Sequence, residues 1–137
     1  MRKIKPAKAA RIEFFFGGSG MGKTHALLRR LAGFSRVIVW DMKGEYSRDL
    51  GFERVPGADL YDRLRAGPGR ISVTSHDPKH FANFCTLAHW WGACAVVAEE
   101  LADVTRPGKA PLEWGLVLRR GRDRSLSVFA VSQRPTE

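Results

Sequence analysis

Short continuous apolar runs alternate along this chain with stretches in which apolar residues recur at helical spacing. The runs are RIEFFF at residues 11–16, VIVW at 37–40, AVVA at 95–98 and the segment from Leu126 to Ser132. Runs of this length with no polar alternation predict strands covered on both faces. Between them, HALLRRLAGF after Thr24 predicts a helix to about Leu31. ADLYDRLRA at 58–66 predicts a short helix, broken by Gly67-Pro68-Gly69. Asp77-Pro78 can start a helix running from about Lys79 to Trp91, and Leu112 to about Arg120 predicts another, ending at Gly121. Ile71 to Ser75 alternates apolar and polar, as a half-exposed strand would. Residues 105–111 are Pro/Gly-rich and predict a loop. Strands alternating with helices mean an α/β domain with a mainly parallel sheet flanked by helices. In such sheets ligands sit at the carboxyl ends of the strands.

Length and composition narrow this further. The 137 residues suffice for one compact domain, read as 11–137 behind a basic arm at 1–10. Hydrophobic residues make up 44% and charged residues 27%, a globular rather than a disordered balance. No segment approaches a membrane span in length, and MRKIKPAKAARIE lacks the apolar core of a secretory signal. Cys85 and Cys94 form no C-x-x-C pair and no zinc spacing, so reduced thiols and a cytoplasmic location are expected. Lys and Arg outnumber Asp and Glu by 23 to 14, a net charge of +9. That excess predicts a polyanionic partner, nucleic acid first.

The chemistry is concentrated at the predicted strand ends. Gly17-Gly18-Ser19-Gly20-Met21-Gly22-Lys23-Thr24 fits the phosphate-binding P-loop, G-x-x-x-x-G-K-[ST], between a strand and a helix. Backbone N–H groups must wrap phosphate oxygens there, which calls for small side chains and permits positive φ. The helix start points its positive end at the anion. Lys23 would reach the β and γ phosphates and Thr24 would place its hydroxyl on Mg²⁺. His25 closes the nucleotide-binding stretch and reads as a helix surface residue. Val96-Val97-Ala98-Glu99-Glu100 has the form of a Walker B element, an apolar strand delivering acids to the site. Glu99 would support Mg²⁺, and Glu100 would act as general base or position the attacking water. Gln133, after the last strand, would hydrogen-bond the γ-phosphate or the water. Asp41, also at a strand end, reads equally as a contact to the metal's water shell or as a cap of the following turn. Trp90-Trp91 reads as helix packing rather than a base-stacking platform. His76, His80 and His89 show no metal-ligand spacing.

GGSGMGKT, VIVWDMKGEY, VVAEE and RRGRDRSLSVFAVSQRP, in that order, resemble the FtsK/HerA superfamily of DNA-pumping ATPases, closest to its viral and phage genome-packaging members. The resemblance covers about residues 11–137, and DMKGEY with the R-G-R…S-Q-R-P ending discriminates it from other P-loop families. It implies a RecA-like P-loop NTPase core, ATP with Mg²⁺, and double-stranded DNA in the channel of a homo-oligomeric ring of about five or six subunits. Capsid or portal-vertex proteins are further implied partners, and a viral origin would mean the host cytoplasm or the virion. It also implies an arginine acting on a neighbour's nucleotide; of Arg119, Arg120, Arg122 and Arg124, Arg122 is assigned that role. Two departures stand out. Glu99 occupies a position that Asp usually holds. Relatives also continue past Q-R-P into a further strand, so the P-loop strand is expected at a sheet edge, with that last strand lacking.

Rival readings remain. A cellular or plasmid translocase of the same superfamily and a Zot-like phage assembly ATPase share the core, although the latter type carries a membrane span. No [NT]-K-x-D occurs, which argues against a GTPase. A small-molecule kinase would not explain the acidic pair or the charge. A nucleotide-binding interaction module without turnover is the reading from another class.

Overall fold

A computed structural model describes residues 12–16, 21–99 and 112–132. The chain order is β1 (Ile12–Phe16), α1 (Met21–Leu31), β2 (Arg36–Trp40), α2 (Glu45–Asp49), β3 (Glu53–Arg54), α3 (Leu60–Arg65), β4 (Gly69–Val73), α4 (Pro78–Trp91), β5 (Ala95–Glu99), α5 (Leu112–Arg120) and β6 (Ser127–Ser132). The six strands form one sheet in the order β1-β6-β5-β2-β4-β3, and every adjacent pair is parallel. The predicted α/β parallel sheet is therefore present. Among the described strands β1 stands at one end of the sheet, and Ile12 and Phe14 on it are 42% and 58% exposed.

The two-residue period of the strands sorts the core into two layers. Val37 and Val39 of β2, Ala95 and Val97 of β5, and Phe129 and Val131 of β6 pack with Leu27 and Leu31 of α1 and with Tyr46 of α2. Ile38, Trp40, Val96, Ala98 and Val128 point the other way, onto α3, α4 and α5. There the Trp40 ring meets Phe81 and Phe84 edge-on at 5.1 and 5.6 Å. Trp91 is 2% exposed and Trp90 packs against the same layer, so the tandem tryptophans serve helix packing. Cys85 and Cys94 are buried and form no disulfide. Burial pushes the Cys85 thiol well above its ordinary range.

Helix ends show why the chain turns where it does. Asp77 caps α4 by accepting from Lys79 N at 2.9 Å, with Pro78 in the first turn. At the other end, Arg124 donates to His89 O and Trp90 O at 3.1 and 2.6 Å. Arg36 donates to Trp91 O at 2.9 Å. Two arginines from distant elements thus take up carbonyls that a helix end leaves orphaned.

Three differences from the sequence expectations concern one region. β4 is not half-exposed: it lies between β2 and β3, with Ile71, Ser72 and Val73 buried. The alternation misled because Ser72 is polar yet satisfied, its hydroxyl donating to Asp41 Oδ2 at 2.8 Å. The short α2 and the two-residue β3 were not expected at all.

Candidate nucleotide site

The strand register fixes the site before any side chain is considered. Phe16 of β1 is level with Ser132 of β6, and Val131 of β6 is level with Glu99 of β5. All three strands point the same way, so the exits after residues 16, 99 and 132 sit side by side at the carboxyl edge. β1 ends at Phe16 and α1 begins at Met21, returning along the sheet face that carries Val97 and Val131. Glu99 has the same strand parity as Ala95 and Val97, which places it on the α1 side.

Glu99 is half-buried and its carboxylate is held. Tyr46 Oη donates to Glu99 Oε1 at 2.6 Å. Tyr46 is 4% exposed, with its ring edge-on to Phe52 at 5.3 Å. Burial first, then the charge of Glu99, pushes the Tyr46 hydroxyl far above the ordinary tyrosine range, so it remains a donor. Tyr46 is placed in turn by Asp41, itself 2% exposed. Asp41 Oδ2 accepts from Tyr46 N at 2.9 Å and Oδ1 accepts from Glu45 N at 3.1 Å. Gly44 precedes them at φ +71°, a left-handed conformation that suits glycine. Of the two readings of Asp41, the structure displays the cap. Tyr46 is the site residue that residue-type reasoning missed. Its only signal was its place in DMKGEY.

The remaining expected residues divide by position. Met21, Gly22, Lys23 and Thr24 form the first turn of α1, which contains no acidic residue to oppose an anion. Thr24 is half-buried and His25 is exposed. The side chain of Lys23, and Gly17, Gly18, Ser19, Gly20, Glu100 and Gln133, lie outside the described residues. Arg30 of α1 pairs with Glu13 of β1 through Nε at 3.1 Å and through Nη2, which ties the loop's two flanks together.

The arginines sit elsewhere. A 3-10 turn at Gly121–Arg124 follows α5 and leads into β6. Ala93 N donates to Arg124 O at 2.7 Å and Ser127 N to Cys94 O at 3.0 Å, so this turn lies at the amino edge of the sheet. Arg122 is exposed there, as are Arg119 and Arg120, at the end opposite the P-loop of the same chain. The guanidinium of Arg124 is occupied by the α4 carbonyls.

Among the described residues, the hydroxyl of Thr24 and the carboxylate of Glu99 are oxygen groups of the kind a nucleotide-bound Mg²⁺ would take. The metal prefers oxygen ligands and takes only one or two from protein beside phosphates and water. Among the described residues no group of three or more His, Cys, Asp or Glu could hold a metal alone, so an ion here would need phosphate and water oxygens beside those of Thr24 and Glu99. A parallel strand followed by a glycine-rich stretch of sequence and a helix, with an acid ending a strand two places away, is the arrangement of a P-loop NTPase fold. Comparison with known proteins agrees. The genome packaging NTPase B204 of Sulfolobus turreted icosahedral virus 2 superposes with TM-scores of 0.67 in its AMPPCP complex and 0.69 in its AMP complex, at 15% identity. Each match covers 91% of this chain, and 65% and 66% of B204 respectively. In sequence, protein P9 of Pseudoalteromonas phage PM2 is 32% identical over 132 residues, covering 88% of this chain. The chain spans 58% of P9's length. No protein-family model matches the chain.

Proposed function

We propose that this chain is an ATP-hydrolysing motor domain that packages a viral double-stranded DNA genome, of the FtsK/HerA type. The observation that carries the reading is the shared carboxyl edge, where β1, β6 and β5 end side by side at Phe16, Ser132 and Glu99, with the P-loop, Gln133 and Glu100 following them in the sequence. The likeness to the phage protein P9 supports a viral setting, the fold shared with the genome packaging NTPase B204 supports a packaging role, and the +9 charge supports DNA as the partner.

Bound ATP and Mg²⁺ would supply the phosphoryl electrophile and its charge neutralisation. The chain's own residues do the rest. The first turn of α1 binds the phosphates, with Lys23 on the terminal ones and Thr24 and Glu99 as oxygen donors to the metal. Glu100 accepts a proton from the attacking water and Gln133 orients that water. Arg122 lies at the amino edge of the sheet, opposite the carboxyl edge at which β1 ends. It therefore serves a neighbour's nucleotide in a ring, where one subunit's amino edge meets the next subunit's carboxyl edge.

Steady-state phosphate release from Mg²⁺-ATP, with and without double-stranded DNA, tests this beside Lys23→Ala and Glu100→Gln. DNA-stimulated turnover that both variants lose is the expected result. Nucleotide binding without turnover at any protein concentration would instead favour the non-hydrolysing interaction module.

A further inference from the structure

We propose that Tyr46 is a positioning residue for this site, its hydroxyl fixing the Glu99 carboxylate for the metal-nucleotide through an anchor built on Asp41 and Ser72. The inference rests on the nucleotide-site reading and deepens it. Glutamate carries one more rotatable bond than the aspartate usual at this position, so its carboxylate has more space to wander. A carboxylate must be held closely to serve a metal site, and a rigid neighbour that donates to it does this.

Tyr46 is rigid for reasons visible along its length. Its backbone N–H is bound by Asp41 Oδ2, its ring is wedged against Phe52, and its hydroxyl ends on Glu99 Oε1 at 2.6 Å. Asp41 cannot swing away, because Ser72 of β4 donates to the same oxygen and Glu45 N to the other. The path from Ser72 to Glu99 crosses β4, the end of β2, α2 and β5. Four elements therefore agree on where one carboxylate lies. The arrangement is matched to glutamate in length. An aspartate at 99 would withdraw the carboxylate by about 1.5 Å, one carbon–carbon bond, and leave the 2.6 Å contact unmade.

The test is a double-mutant cycle on the full chain, with Tyr46→Phe, Glu99→Asp and the pair. The readouts are the affinity of a non-hydrolysable ATP analogue across a Mg²⁺ titration, and the thermal midpoint. Tyr46→Phe should fold, with a midpoint near that of the wild type, and should raise the half-saturating Mg²⁺ concentration roughly tenfold, the worth of a hydrogen bond to a charged group. The double variant should be no worse than Glu99→Asp alone, because both remove the same contact. An unchanged Mg²⁺ dependence in Tyr46→Phe, or additive effects, would overturn the proposal. Should Tyr46→Phe fail to fold, Ser72→Ala probes the same anchor and should shift the Mg²⁺ dependence in the same direction; no shift there overturns the proposal equally. Lys23→Ala separates the two ideas. If it abolishes analogue binding while Tyr46→Phe is wild-type, only the positioning role falls. If it binds like the wild type, the site reading falls and takes the positioning role with it.

Discussion

Asp41 is the residue on which most depends for its size. It serves two backbone donors and one hydroxyl from a position 2% exposed. Truncating it strands three donors at once, and each unsatisfied buried group costs about 1–3 kcal/mol. Asp41→Ala should therefore lower the unfolding free energy by about 3 kcal/mol or more in urea titrations. Ser72→Ala should cost about 1 kcal/mol, since only one of Asp41's bonds is lost. His89 gives a pH signature. Burial chiefly, and the charge of Arg124 next, lower its pKa below the ordinary value near 6.5, against a backbone hydrogen bond with Arg120 that raises it. The unfolded chain then binds the proton more readily than the folded one. This contribution to stability is intact above about pH 6.5 and is lost as pH falls through the window beneath it. His89→Gln should flatten the wild-type decline in urea midpoint between neutral and mildly acidic pH. An identical decline in both proteins would show that His89 does not contribute to it.

At the scale of elements, the apolar runs were sufficient to locate β2, β5 and β6, because a strand covered on both faces has no polar period to disguise it; the same kind of run located β1, but its Ile12 and Phe14 are exposed rather than covered. α4 was legible from Asp77-Pro78, whose capping chemistry is local. What escaped was structure whose cause is tertiary. α2 has five residues and exists because Asp41, outside it, accepts from its first two backbone N–H groups. Ser72 looked like an exposed position because its partner is 31 residues away in sequence. The P-loop and the acidic pair could be proposed from residue types at strand ends, but Tyr46 could not be, since the contact of a tyrosine hydroxyl with Glu99 appears only in the fold. Two substitutions probe these elements. Gly44→Ala must place a β-carbon at φ +71° and should destabilise by about 1–2 kcal/mol, although it would meet Thr74 Oγ1 only at an ordinary contact distance of 3.9 Å. Arg124→Met keeps much of the aliphatic stem but uncaps two carbonyls of α4, and should cost about 1–3 kcal/mol, read as a lower thermal midpoint.

For the whole molecule, the sheet has a chemical polarity: the proposed phosphate site at its carboxyl edge, exposed Arg119, Arg120 and Arg122 at its amino edge. Head-to-tail association would bring the two together between subunits. Subunit mixing tests this. Lys23→Ala and Arg122→Ala should each be inactive alone. Mixed in equal amounts, they should recover activity at about a quarter of the interfaces, those pairing an intact P-loop with a neighbour's intact Arg122. Recovery at no mixing ratio would remove Arg122 from that role. DNA affinity should fall linearly with salt on logarithmic axes, with a slope of about −0.9 for each phosphate contacted.

The pairing of β1 with β6 has a consequence for how the protein is made. The strand carrying the glycine loop leaves the ribosome first among the described strands, yet its register partner is the last of them. Until β6 is synthesised, the sheet can grow from β2, β4 and β5, whose contacts are nearer in sequence and faster to close. The proposed phosphate site is thus completed only once β6 has been made. On the proposed reading, a nascent chain stalled before Ser127 should have a packed half-sheet and no nucleotide affinity.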